Sequence, residues 1–290
     1  MYYRQKIQLS LIEFCGRKLS NTRLEKLLFL YSKKNNNYYD FFPFKYGCFS
    51  LQSYHDKRIL MKKGFLEDSE NNFILKQNIS FIDKIKNEDR KDLMEFSLKH
   101  NKLTNKQLIR KTYLEYPFYA SKSIILDEVL DSDEKNTILN NRELNQKIMF
   151  TIGYEGKTID KYLQILIQNH INAIIDVRKN PSSMKFNFTK KKFSEHLKRV
   201  DIDYINIPEL GIESNRRAKL ETEEEYKSLF NYYKKNNLVN QVNKLKKIYY
   251  LLNNKKRIAL TCFEKDSNYC HRHIISDYFE AHYNIVVKHL

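Results

Sequence analysis

The sequence is poor in the signals that mark whole classes of protein. Its four cysteines, at 15, 48, 262 and 270, include no Cys-x-x-Cys pair, so a structural zinc knuckle lacks its usual spacing. There is no apolar N-terminal run, no small-residue cleavage site and no stretch long enough to span a bilayer. No membrane partner is therefore expected, and the chain reads as cytoplasmic with reduced thiols. With only six glycines in 290 residues, it carries neither Gly-x-Gly-x-x-Gly nor a phosphate loop ending in Gly-Lys-Ser/Thr. That disfavours a dinucleotide oxidoreductase or an NTPase, and no cofactor is expected. No internal repeat is present.

What is present is apolar content and positive charge. An apolar fraction of 41% in a chain of this length is enough for one large or two ordinary domains. Lys and Arg outnumber Asp and Glu by 52 to 35, a formal +17, with +7 over residues 1–80, +1 over 81–147 and +9 over 148–290. Both ends are basic and the middle is not, as expected if the end modules meet polyanions. A Lys- and Asn-rich bias that serves solubility alone gives the same balance.

Residues 1–80 read as a binding module. Ile7, Leu11 and Phe14 fall at helical spacing before Gly16, and Leu24, Leu27, Leu28 and Tyr31 form a second stripe behind Ser20 or Asn21. An aromatic loop over 38–43 follows, then a third helical run from Ser50 to Lys63 that ends at Gly64. Phe65-Leu66 and Phe73-Ile74-Leu75 flank a polar turn and predict a hairpin. Three helices and a ribbon are the order of a winged helix-turn-helix, with His55, Lys57, Arg58, Lys62 and Lys63 on or near the third helix as nucleic-acid contacts. Equally, those charges fit the solvated side of an ordinary amphipathic helix. The words KLLFLYSKK and PFKYGCFSLQSYHDKRILMKKGFL resemble a module found in bacterial proteins related to the Panacea-type antitoxin domain. That resemblance implies a module recognising protein or DNA, with no catalytic residue carried over. Residues 81–146 read as a helical connector, and 131–145 as the linker.

From Ile148 the pattern becomes alternating strands and helices. Strands are predicted at 148–153, 173–177, 204–207, 258–262 and 284–287, with helices at 159–169, 193–200 and one or two over 223–252. The expected fold class is therefore α/β over 147–290: a mainly parallel, Rossmann-like sheet with helices on both faces, behind a mostly helical winged-helix-like domain. Parallel strands present their carboxyl ends on one rim, where ligands bind. That rim would gather Tyr154 and Glu155, then Asp176, Arg178, Ser182 and Ser183, then Pro208 to Gly211, and finally Glu264, Cys270, His271 and Arg272. The motifs IGYEG, DVRKNPSS, PELG and CFEKDSNYCHR, in that order, closely resemble the uncharacterised family catalogued as domain of unknown function 488. Ile212 stands where that family commonly has a second glycine. The resemblance implies the fold and the rim and little about the reaction.

Chemistry is argued from residue types. Asp176 and Glu264, with Tyr154 and Glu155, are the catalytic candidates, since a partly buried carboxylate can act as general base. Arg178, Ser182, Ser183, Cys270, His271 and Arg272 are the binding candidates, the arginines as bidentate phosphate clamps. Asp176 with Arg178, and Glu264 with Arg272, serve equally well as structural ion pairs. Cys270 at a helix start beside His271 and Arg272 fits an activated nucleophile. Cys262, Cys270 and His271 with Glu264 fit zinc, and a small buried thiol is the ordinary reading; no metal is assigned. Lys185, Lys190, Lys191 and Lys192 beside the second strand extend the nucleic-acid surface. The expected function is a hydrolase or transferase acting on a glycosidic or phosphoester bond of nucleic acid, DNA in preference to RNA, or of a nucleotide, in bacterial defence or genome maintenance. The alternative is a non-enzymatic DNA-binding, antitoxin-like regulator whose α/β domain senses a phosphorylated ligand; the sequence leaves homo-oligomers open.

Overall fold

A computed structural model of the chain describes residues 1–34, 38–69, 71–76, 79–139, 146–213, 216 and 220–290. It divides into two compact units, Met1–Asn141 and Arg142–Leu290. Among the described residues no helix is long and apolar enough to cross a membrane.

The first unit runs α1 Tyr3–Phe14, β1 Lys18–Ser20, α2 Asn21–Lys34, β2 Phe42–Phe44, β3 Gly47–Phe49, α3 Leu51–Lys62, β4 Leu66–Ser69 and β5 Asn72–Leu75. It continues as α4 Asn87–His100, α5 Asn105–Glu115, α6 Pro117–Ala120, α7 Leu126–Val129 and α8 Ser132–Leu139. Strands β1, β5 and β4 form one antiparallel sheet in that order, against which α1, α2 and α3 pack. Ser50 caps α3 by accepting the Ser53 N–H at 3.2 Å, and Gly64 ends the turn after it at φ 72°, a conformation natural to glycine. The β2–β3 hairpin falls within and after the stretch read as an aromatic loop.

Residues 81–146 do more than connect. Phe81, Leu93, Phe96 and Leu108 enter the same core as Ile7, Leu11, Leu24, Leu28 and Phe73. The linker read over 131–145 contains α8, which Glu134 holds by accepting from Arg110; residues 140–145 lie outside the described residues.

The second unit runs β6 Ile148–Gly153, α9 Ile159–Gln168, β7 Ala173–Asp176, α10 Lys190–Lys198, β8 Asp203–Asn206, α11 Glu223–Tyr232, α12 Val242–Lys255, β9 Arg257–Cys262, α13 Arg272–Tyr283 and β10 Val286–His289. All five strands are parallel, in the order β10-β6-β9-β7-β8. Every residue of β6, β7 and β9 is buried, as a sheet covered on both faces requires. Alternation then sorts the side chains. Met149, Ile175, Val177, Ile258, Leu260 and Cys262 share a core with Leu245, Ile248, Ile275 and Phe279 of α12 and α13. Thr261 and Asp176 point to the other face, where Tyr162 of α9 donates its hydroxyl to Thr261 at 2.7 Å and packs against Phe188 and Phe193.

Candidate functional site

The carboxyl rim does collect the expected residues, in two separate groups on the two faces of the sheet. On the α9 and α10 face, Asp176 ends β7 and is fully buried. Its carboxylate accepts from the Arg178 backbone N–H at 3.1 Å, from Arg178 Nε at 2.8 and 3.1 Å, from Arg178 Nη2 at 2.6 Å and from the Tyr204 hydroxyl at 2.6 Å. Arg178 turns its remaining Nη1 to the Tyr154 hydroxyl and the Phe188 carbonyl, each at 3.0 Å. Burial works against the Arg178 charge, but the bond and charge of Asp176 outweigh it and raise the guanidinium pKa. Tyr204 is pushed up by burial and by the same carboxylate, so it stays a donor. Tyr154 stacks on Phe188 with centroids 4.4 Å apart.

This closed network corrects three expectations. Asp176 has its lone pairs filled and is not placed to activate water. Arg178 spends its donors inside the protein and is not a phosphate clamp. Tyr154, a catalytic candidate, has its ring stacked on Phe188 and its hydroxyl held by Arg178.

On the α12 and α13 face, Arg272 at the start of α13 is almost wholly buried. It donates to the Glu264 carbonyl at 2.6 Å, the Lys265 carbonyl at 3.0 Å and Thr151 Oγ1 at 3.4 Å. Its guanidinium therefore shapes the loop after β9 and is not free for a ligand. Gly153 shows why that loop sits so close: a Cβ there would lie 1.7 Å from the Glu264 carbonyl oxygen. Glu155 fastens the same loop from outside by accepting the Lys265 N–H at 2.8 Å. Gly211 is required in the same way against the backbone of Lys179, at 2.2 Å, and Ile212 closes its loop by packing into the core at 3% exposure.

Cys270, weighed as a nucleophile from its helix-start position, is 1% exposed, a setting that disfavours an attacking thiolate. Burial pushes its thiol well above the ordinary value, and Cys262 reinforces the shift. His271 donates Nε2–H to the Val177 carbonyl at 3.0 Å, which leaves Nδ1 as the ring's acceptor, 3.9 Å from Cys270 Sγ. Cys262, Cys270 and His271 together bring two sulfurs and a ring nitrogen within 4.8 Å of one another, all buried.

The exposed part of the rim is basic and aromatic. In the loop after β7, Ser182 and Lys179 are exposed, Ser183 accepts the Lys185 N–H at 3.1 Å, and Met184 and Phe186 stand out at 107% and 67% exposure. Lys185 reaches the Tyr154 and Lys157 carbonyls at 3.3 Å, Lys190 and Lys191 are exposed, and Lys192 pairs with Glu195 at 2.8 Å. In the first unit His55, Arg58, Lys62 and Lys63 are exposed on or just after α3. Lys57 is not among them: it is 2% exposed, 3.5 Å from the Glu25 carboxylate, and so belongs to the interior.

Sequence reasoning missed one cleft. A hollow of about 550 Å³ beside the start of α13 is lined by Glu223, Tyr226, Phe230, Asp266, Tyr269 and His273, among others. His273 Nδ1 is held against the Ser267 and Cys270 carbonyls at 2.9 and 2.7 Å, so Nε2 is its acceptor. The signal is the second histidine in CHRH, one residue beyond the motif CFEKDSNYCHR.

Comparison with known proteins fits this architecture. Residues 158–279 match the family model described as domain of unknown function DUF488. The match takes in DVRKNPSS, PELG and CFEKDSNYCHR, and IGYEG lies just before it. It leaves the first unit outside, so the likeness of residues 20–75 to a Panacea-type module rests on its sequence words alone. No curated protein and no solved structure matches the chain.

Proposed function

We propose that the protein is a nucleic-acid-binding protein of the cytoplasm, whose winged-helix unit docks on duplex DNA through α3. The observation that carries this is the outer side of α3, where His55, Arg58 and Lys62 are exposed, with Lys63 beside them, while Lys57 is turned in to Glu25. A helix in this position of a winged-helix fold enters the major groove. The DUF488 rim adds the exposed Lys179, Lys190 and Lys191 and the exposed Phe186, whose ring carries Lys192 Nζ 5.9 Å from its centroid, and cations with an exposed aromatic ring suit an unstacked base.

The test is fluorescence anisotropy with labelled duplex DNA, single-stranded DNA and RNA over a salt series. Each phosphate neutralised contributes about 0.9 to the slope of log affinity against log salt on duplex DNA. Arg58→Ala with Lys62→Ala should weaken binding and flatten that slope. Absence of binding at low salt, or a slope near zero, refutes the proposal.

A second reading, that the α/β unit also cleaves or transfers at a glycosidic or phosphoester bond, is favoured by the missed cleft. There the fixed tautomer of His273 and the carboxylates of Glu223 and Asp266 provide an acid–base set. Under that reading His273→Gln abolishes turnover of labelled nucleic acid or nucleotide, and Asp176→Asn acts only through stability.

A further inference from the structure

We infer that Cys262, Cys270 and His271 form a binding site for a soft divalent metal ion of the zinc type. Two sulfurs and an imidazole nitrogen lie within 4.8 Å of one another, and all three residues are buried. Around a tetrahedral zinc, with bonds of about 2.3 Å to sulfur and about 2.0–2.1 Å to nitrogen, neighbouring ligand atoms are separated by about 3.5–3.8 Å. Cys270 Sγ and His271 Nδ1 are 3.9 Å apart, so the pair needs almost no movement to close on an ion.

The histidine supplies an independent pointer. A ligating imidazole generally donates its other ring N–H to a carbonyl or carboxylate, which fixes its tautomer and orientation. His271 does this through Nε2 to Val177 O at 3.0 Å, leaving Nδ1 facing the sulfurs. The three residues come from adjoining elements: Cys262 ends β9, Cys270 follows the turn Ser267–Tyr269, and His271 precedes α13. Charge balance favours a divalent ion, because two thiolates cancel its charge at a buried site. On binding, two S–H bonds break, two metal–sulfur bonds form and two protons leave to solvent. Thiolate and imidazole together select zinc over magnesium or calcium.

The experiment uses the full chain, purified and kept reduced, with zinc and then cobalt as probes. Expected are about one zinc per chain by elemental analysis and, with cobalt, a sulfur-to-metal charge-transfer band together with tetrahedral d–d absorption. Zinc addition to the metal-free chain should release close to two protons. Cys262→Ser and His271→Ala should each lower zinc affinity at least tenfold, while Cys15→Ser and Cys48→Ser leave the stoichiometry unchanged. If a variant fails to fold, the cobalt spectrum of the unsubstituted chain still decides. The inference is overturned if that chain takes up no stoichiometric metal, if the cobalt spectrum lacks the thiolate band, or if Cys262→Ser binds as tightly as the parent.

Discussion

Replacing Arg178 by Met separates a structural network from a ligand clamp. The substitution keeps much of the side-chain volume but strips the Asp176 carboxylate of its contacts from Nε and Nη2, leaving the Arg178 backbone N–H and the Tyr204 hydroxyl. It also removes the donor to the Tyr154 hydroxyl and the Phe188 carbonyl. Breaking one partner out of a buried ion pair costs about 3–5 kcal/mol, because a charge is left uncompensated. For a unit of roughly 150 residues each kcal/mol lowers Tm by about 2–4 °C, so a loss of about 6–20 °C is expected. Thermal unfolding by circular dichroism measures it, and hydrogen exchange should place the loss in β7, β8 and β9. Adding Asp176→Asn removes the stranded charge, so the double variant should be more stable than the sum of the two single losses by about 0.5–3 kcal/mol. A shift below about 2 °C for Arg178→Met, or strict additivity in the double variant, would refute the account.

Gly153→Ala should destabilise the α/β unit by about 3 kcal/mol or more, since the new Cβ meets the backbone of Glu264 at 1.7 Å and not a movable side chain; a urea midpoint within error of the parent would count against the close loop. Lys57→Ala should lower stability with little change in the salt slope of DNA binding, and Arg58→Ala should do the reverse. Burial, reinforced by the charges of Arg199 and Lys192, lowers the His196 pKa to about 4. The unfolded state, with an ordinary pKa near 6.5, then binds the proton more readily than the folded one. This histidine's contribution to stability is full above about pH 6.5 and is lost as pH falls toward 4, so His196→Gln should flatten the acid limb of a stability–pH curve.

The strands and helices of the second unit were legible because β6, β7 and β9 are short, apolar and bounded by charge, and every expected strand falls within two residues of an observed one. The rim was legible too, since parallel strands force it. What could not be read was whether a rim residue points out or is sealed. Asp176 and Arg178 are sealed by Tyr204, 28 residues later on β8, and by Tyr154 and Phe188, and nothing local to DVR announces those partners. Lys57 is a different failure. Ser53, Asp56 and Leu60 share its buried side, so helical phase alone separates it from Arg58. The three-residue β1 is too short to carry a pattern at all; its pairing with β5 defines it.

The strand order has a consequence for how the protein is made. β6 is the first strand of the sheet to leave the ribosome, yet its two neighbours are β9 and β10, and its register with β9 pairs Ile148 with Arg257, on the order of a hundred residues downstream. At about 5–20 residues per second, a strand buried along its whole length in the finished protein waits about 5–20 seconds with both edges unpaired. Over that interval β7 and β8 can pair with each other but not with β6, so nascent chains stalled between residues 210 and 256 should be the species most dependent on chaperones and most prone to aggregate.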